Sequence, residues 1–365
     1  MSSKWKQLAA LGQSVWYDNV ARPALADGLL ERLMREDAIT GGTSNPSIFS
    51  KAVLGSDLYD DDIAGAPADA TPEQVFETCA IADIQAACDL VRPIWESTDG
   101  ADGYISIEEE AAMAFDAPEA VRRGHELRAL VDRPNVMIKV PGTLPGVEAF
   151  EQLTREGVSV NVTLLFSRER YHQVAGAYVR ALQARVDAGE DLHAIASVAS
   201  FFVSRIDSKV DDALPEDSPL RGRIAVANAK LAYADVFVPI FGGAEFQRLA
   251  QAGANVQRPL WASTGVKNKA YSQTLYIDEL VGRDTVTTVP DATIDAFRDA
   301  GGEVRATLRE GVDEARRQLD ELRAAGVSLD EITSALEHDG VKQFADAYDE
   351  MIDAIARKRD EIGVA

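Results

Sequence analysis

The chain has 365 residues, 46% of them hydrophobic and 27% charged, the profile of an ordinary globular protein with enough apolar mass for a large core. At about 150 residues per domain that is room for two domains, or for one large α/β barrel. Thirty-seven Lys and Arg against 60 Asp and Glu leave a net charge of −23, an acidic envelope that repels phosphate backbones and anionic headgroups and points away from nucleic-acid and membrane-surface partners, while a local basic pocket can still hold a small phosphate ligand.

The N-terminal residues Met1 to Lys6 lead into Leu8 and Leu11 among polar neighbours, not into an apolar signal core. A first strand is predicted over about 14–19, ending near Asp18, and a second over about 38–43. The amphipathic stretch over about 72–96 carries both cysteines, Cys79 and Cys88. Nine helical residues place them about 13 Å and half a turn apart, too far for a disulfide, so free thiols in a reducing compartment are expected. A third strand follows at about 104–109, a helix at about 118–132 and a fourth strand at about 136–140. Next come a strand at about 158–165, a helix at about 168–188, a strand at about 195–201 and an apolar helical stretch at about 219–241. Strands at about 259–263 and 284–289 and a helix at about 293–299 complete the pattern. No apolar run is read as approaching the roughly 18 residues of a membrane span, and a cytoplasmic location is expected. The histidines at 125, 172, 193 and 338 are scattered, so neither a protein-ligated metal nor a cofactor is expected.

Strands alternating with helices imply a parallel sheet, and eight of them imply an α/β fold of the closed (β/α)8 TIM-barrel type. A doubly wound open sheet is the rival, but no G-x-G-x-x-G follows the first strand. The segment over about 303–362 has no strand pattern; Phe344, Tyr348, Met351, Ile352 and Ile355 follow helical spacing. The expectation is a single domain over 1–365, the barrel at about 14–300 with C-terminal helices packed back onto it.

Barrel strands are apolar on both faces, so a polar face is informative. In the fourth strand Val136, Ile138 and Val140 share one side, Met137 and Lys139 the other, and Pro141-Gly142 ends the strand just after the lysine. Asp18, Glu108, Asn161 and Thr163 sit equally late in their own strands, on the face opposite the aliphatic residues. Barrel enzymes build their sites at that end. An amine among carboxylates and hydroxyls is the composition of Schiff-base carbonyl chemistry, in which burial in an apolar barrel frees the amine's lone pair. Ser200 and Arg205, where a strand runs into a helix, could hold a phosphate; pairing of Arg205 with Asp207 or Asp211 is the competing expectation. Lys267 follows a glycine in the loop after the seventh strand.

At these residues the chain resembles the transaldolases. The likeness rests on Gly42-Thr43-Ser44-Asn45-Pro46-Ser47-Ile48-Phe49, on Val136 to Gly142, and on Asn161-Val162-Thr163-Leu164-Leu165-Phe166-Ser167, with agreement at Ala199 to Arg205 and Trp261 to Gly265. The resemblance implies Lys139 as the Schiff-base lysine, Asp18 as the acid/base at the C4 hydroxyl, and Glu108 with Thr163 positioning a water. It implies Asn45 and Asn161 holding substrate hydroxyls, and Ser200 and Arg205 binding phosphate beside Phe202. Lys267 would replace a phosphate-binding arginine found in some members. The implied partners are small sugar phosphates, the donor sedoheptulose 7-phosphate or fructose 6-phosphate and the acceptor an aldose phosphate, acting in a monomer or homodimer. A sugar-phosphate isomerase and a non-catalytic sugar-phosphate-binding barrel are the alternatives.

Overall fold

The computed structural model of the chain describes residues 3–193 and 195–363. Its centre is a closed barrel of eight strands in chain order: β1 (Gln13–Tyr17), β2 (Ile39–Thr43), β3 (Ile105–Glu108), β4 (Val136–Pro141), β5 (Val160–Leu165), β6 (Ser197–Phe202), β7 (Gln257–Ala262) and β8 (Thr285–Val289). Neighbouring strands are parallel, and β8 closes the ring against β1. Helices cover the outside, which confirms the (β/α)8 fold expected from the alternation of patterns. The outward-facing Val136, Ile138 and Val140 are fully buried against that helical layer. Inside the barrel, its N-terminal end is plugged by a polar cluster, in which Trp16 donates to Asp102 at 2.9 Å and Arg258 pairs with the same carboxylate at 3.2 Å. The other end of the barrel opens into a cavity.

Local signals explain how the strands connect to their helices. Asn45 caps the helix Pro46–Gly55 by accepting from the Ile48 amide at 3.1 Å, with Pro46 at the position where a missing N–H costs nothing. Thr143 caps Leu144–Arg155 and Ser167 caps Arg168–Ala188 in the same way. A Cβ on Gly41 would lie 2.8 Å from the Trp16 ring and 2.5 Å from the Tyr104 carbonyl, so β2 carries glycine where the indole fills the barrel.

Several expectations need correction. β1 stops at Tyr17, which leaves Asp18 on the first turn beyond the strand, where its N–H still donates to the Val289 carbonyl at 3.0 Å. β5 does not alternate strictly: the register shifts between Val162 and Leu165, and Leu164 takes a left-handed conformation with φ 59°. The bulge turns Leu164 toward the C-terminal helix instead of continuing the aliphatic row. The stretch over 219–241 is broken into Ile224–Ala232, a π-helical turn Tyr233–Phe237 and Val238–Phe241. Contrary to the reading that no run approaches membrane length, Ile224–Phe241 spans 18 residues at mean hydropathy 1.5, and 72% of it is buried inside the protein. The C-terminal region begins irregular at 303 and forms helices only at Val312–Ala324 and Leu329–Glu361.

The 33-residue helix Leu329–Glu361 lies against Pro46–Gly55 and the bulge of β5. A Cβ on Gly340 would lie 2.9 Å from Leu164 Cδ2, so glycine there lets this helix settle onto the barrel mouth.

Candidate active site

The C-terminal ends of the strands surround a cavity of about 130 Å3 lined by Asp18, Asn45, Lys139, Asn161, Thr163, Ser200, Phe202 and Arg205, with Thr43, Ser263, Thr288 and Phe344 among its other walls. Strand register brings the central groups together: Glu108 is level with Lys139, and Lys139 with Asn161. Side chains on one face of adjacent strands at equal height must meet.

Lys139 Nζ donates to Glu108 Oε2 at 3.1 Å and to the Ser44 carbonyl at 3.1 Å. Both side chains are nearly sealed, at 7% and 6% exposure. The surroundings of the amine are therefore not the apolar lining expected from the strand pattern. Burial raises the Glu108 carboxyl above the ordinary carboxylate value, with Lys139 opposing that rise. A carboxylate biased toward protonation beside an amine is positioned to take its proton.

Glu108 is set apart from its two acidic neighbours. Glu109 faces the helical layer at 3% exposure, with neither carboxyl oxygen hydrogen-bonded. Burial, and then the charges of Glu110 and Glu108, push it up to about 9. Glu110 pairs with Arg123 at 2.8 Å. Only Glu108 reaches the lysine.

Across the cavity Asp18 accepts from Thr43 at 2.6 Å. Asn161 is held between two hydroxyls, donating to Ser106 at 3.1 Å and accepting from Ser200 at 2.6 Å. In this state the polar atoms of Ser200 and Asn161 are engaged with each other. Asn45 uses Oδ1 for the helix cap and leaves its amide donors to the cavity.

Arg205 stands at the start of the helix Ser204–Ala213, whose N-cap Val203 offers no side-chain cap. Its guanidinium lies 5.2 Å from the Phe202 ring centroid. The competing pairing is not formed. Asp207 accepts from the Ala225 amide and Tyr276, both at 2.8 Å, and Asp211 from the Gly222 amide at 3.0 Å and Tyr271 at 2.6 Å. Burial lowers the Arg205 pKa, with only the more distant Glu108 working against it. A half-buried guanidinium with no carboxylate in contact among the described residues, at the positive end of a helix, is suited to hold an anion.

Lys267 is not brought to this cavity. It is exposed in a separate cleft with Asp207, Asp211, Asn268 and Tyr271, because the loop after β7 runs outward past Ser263, itself in a left-handed turn at φ 55°. The wall residues missed from sequence are Thr43, Leu260, Ala262, Ser263, Thr288 and Phe344. Thr43 and Ser263 lay within stretches that carried the family likeness; Phe344 showed only as an apolar position of a distant helix.

A (β/α)8 barrel with a buried amine–carboxylate pair at the C-terminal mouth and a guanidinium at the start of a neighbouring helix has the layout of a barrel enzyme. The family model described as Transaldolase/Fructose-6-phosphate aldolase matches residues 15–355. A transaldolase of Neisseria meningitidis is 45% identical over 344 residues, covering 94% of this chain and 97% of that protein. One from Thiobacillus denitrificans is 46% identical over 353 residues, with 95% and 98% covered, and one from Thermobifida fusca 43% over 364, with 98% and 99% covered. The chain belongs to the transaldolase/fructose-6-phosphate aldolase family and is an enzyme of the transaldolase type, a transferase.

Proposed function

We propose that this enzyme moves a three-carbon dihydroxyacetone unit from a ketose phosphate, sedoheptulose 7-phosphate or fructose 6-phosphate, to an aldose phosphate, erythrose 4-phosphate or glyceraldehyde 3-phosphate. The observation that carries the reading is Lys139 Nζ at 3.1 Å from Glu108 Oε2, nearly sealed at the C-terminal mouth of the barrel. Lys139 passes a proton to Glu108 and attacks the ketose carbonyl. Loss of water from the adduct, with Glu108 and Thr163 guiding it, leaves an iminium. Asp18 then takes the proton of the C4 hydroxyl, the C3–C4 bond breaks, and its electron pair flows into the iminium to give an enamine and a free aldose. The enamine attacks the incoming aldehyde, Asp18 returns its proton, and hydrolysis regenerates Lys139. Arg205 and the start of its helix hold the phosphate, with Phe202 beside it. Asn45 and Asn161 meet substrate hydroxyls, Asn161 by exchanging its bond to Ser200. Lys267 can serve the phosphate only if its loop folds inward.

The same reading places the enzyme in the pentose phosphate pathway in the cytoplasm, as a monomer or homodimer. The acidic surface and the free buried thiols Cys79 and Cys88 are in keeping with that location. Barrel and C-terminal helices are read as one unit, because Phe344 enters the site.

Borohydride reduction in the presence of fructose 6-phosphate tests the mechanism. Mass spectrometry should find one substrate-derived adduct, of three or six carbons, on the peptide bearing Lys139, and none in Lys139→Ala. An adduct on another lysine, or none, overturns the assignment. Because the electron sink is an iminium, prolonged EDTA treatment is expected to leave the exchange rate unchanged; loss restored by zinc would move the enzyme to a metal-dependent class.

A further inference from the structure

Among the described cavity walls, Phe344 is the one supplied by the C-terminal helix Leu329–Glu361. Its ring centroid lies 5.7 Å from Lys139 Nζ, within the range of a cation–π contact. Glu108 and the Ser44 carbonyl occupy other directions around the same nitrogen.

The ring is held in place from both sides. One turn earlier on the same helix face, Gly340 packs on Leu164 so closely that a Cβ would lie 2.9 Å from Cδ2. One turn later, Tyr348 meets Phe76 edge-on at 6.2 Å, and Phe76 meets Phe49 edge-on at 5.4 Å. Positions 340, 344 and 348 form one stripe, clamped at its ends, with Phe344 over the amine. The cavity's other cation is treated alike, since Arg205 lies 5.2 Å from the Phe202 ring.

The chemistry gives this placement a purpose. An ammonium has three N–H donors to share, whereas the iminium proposed above has one, with its charge spread over nitrogen and carbon. Glu108 gains a proton when the amine is freed and gives it up again as water leaves, so the charge it presents changes through the cycle, whereas an aromatic face, which does not titrate, attracts the cation throughout. Resting on the Schiff-base reading, we propose that Phe344 is a charge-stabilising residue of the reaction, supplied by the C-terminal helix and holding the positive charge of the Lys139 iminium against its ring face. Glu108 from β3 is the carboxylate in contact with the nitrogen, and the charges that act on Glu108 in turn are Lys139, Asp18 after β1 and Arg205 from its helix. On Phe344's own helix, Lys342 and Asp346 pair with each other at the surface, 2.6 Å apart.

The test uses the full chain. Phe344→Leu keeps an apolar wall and removes the ring; Phe344→Tyr keeps the ring. Phe344→Leu should lower kcat about ten-fold, the factor a cation–π contact of ordinary strength is worth, with KM for fructose 6-phosphate within about two-fold. The fraction of enzyme trapped by borohydride at saturating substrate should fall, and its pH profile should move down, since the iminium then loses its proton more easily. Phe344→Tyr should stay near wild type. Placing phenylalanines of increasing fluorination at 344, which weakens the ring's negative face with little change in shape, should lower kcat stepwise. A flat fluorination series, or a leucine variant with wild-type trapping and pH profile that changes only KM or Tm, overturns the proposal. Absence of any Lys139 adduct in the wild type is a separate result, and it would remove the Schiff-base reading itself.

Discussion

Asp18 and Arg205 line the same cavity, and opposite duties are proposed for them. Asp18 is proposed to act on the proton that leaves as the C–C bond breaks, so Asp18→Asn should lower kcat by ~10²–10⁴-fold while still allowing the Lys139 adduct to form. Arg205 has no carboxylate in contact among the described residues, with Asp207 and Asp211 bonded to Tyr276 and Tyr271. Arg205→Ala should therefore raise KM for phosphorylated donors and have much less effect on unphosphorylated fructose or dihydroxyacetone, with some loss of turnover because remote binding energy helps orient the reacting centre. Comparing kcat/KM for both donor types in wild type and variant settles it. Equal losses on both would show that the arginine is structural. Lysine 139, Asp18 and Arg205 were all legible in the sequence, each late in its strand or just after it. The Asn161–Ser200 bond was not, because strand patterns set which way a side chain points and not which neighbour it finds.

At the scale of elements, the site depends on how closely the helices seat on the strand ends. The helix Leu144–Arg155 begins five residues after Lys139, and a Cβ on Gly146 would lie 1.8 Å from the Pro141 carbonyl oxygen. Gly146→Ala must push β4 and this helix apart. A loss of about 1–3 kcal/mol in urea denaturation is expected from such overpacking, with a fall in kcat as Lys139 shifts from Glu108. A variant of unchanged stability would mean that the helix start relaxes freely. Other element-scale features were hidden for a physical reason. The β5 bulge at Leu164 and the π-helical turn at Tyr233–Phe237 are local departures that packing imposes on residues with ordinary strand and helix propensity.

Across the whole molecule, Glu109 couples stability to pH. Its carboxyl, ordinarily near 4.5, is raised to about 9 by burial and by the charges of Glu110 and Glu108. Between those values the folded protein keeps a proton that the unfolded chain has lost, so stability falls as pH rises through that window and levels off above it. At pH 7 the cost is about 3 kcal/mol, from 1.36 kcal/mol per pH unit. Glu109→Gln should therefore be more stable than wild type at neutral pH, and the gap in Tm should widen between about pH 5 and pH 9. A gap that does not change with pH would show that Glu109 is ionised in the fold.

The sequence by itself determined the barrel, because eight period-2 runs alternating with helical runs admit few other closed arrangements, and it determined the polar face on which Lys139, Glu108, Asn161 and Thr163 stand, because side-chain direction along a strand follows from parity alone. Only the tertiary structure decided which groups meet. Strand register set Glu108 level with Lys139 and left Glu109 sealed among helices. The path of the loop after Ser263 carried Lys267 away from the cavity. The docking of Leu329–Glu361 onto Leu164 brought Phe344, 205 residues along the chain from Lys139, to its amine. Such long-range distances depend on backbone curvature and packing volume, which no local pattern of residues encodes.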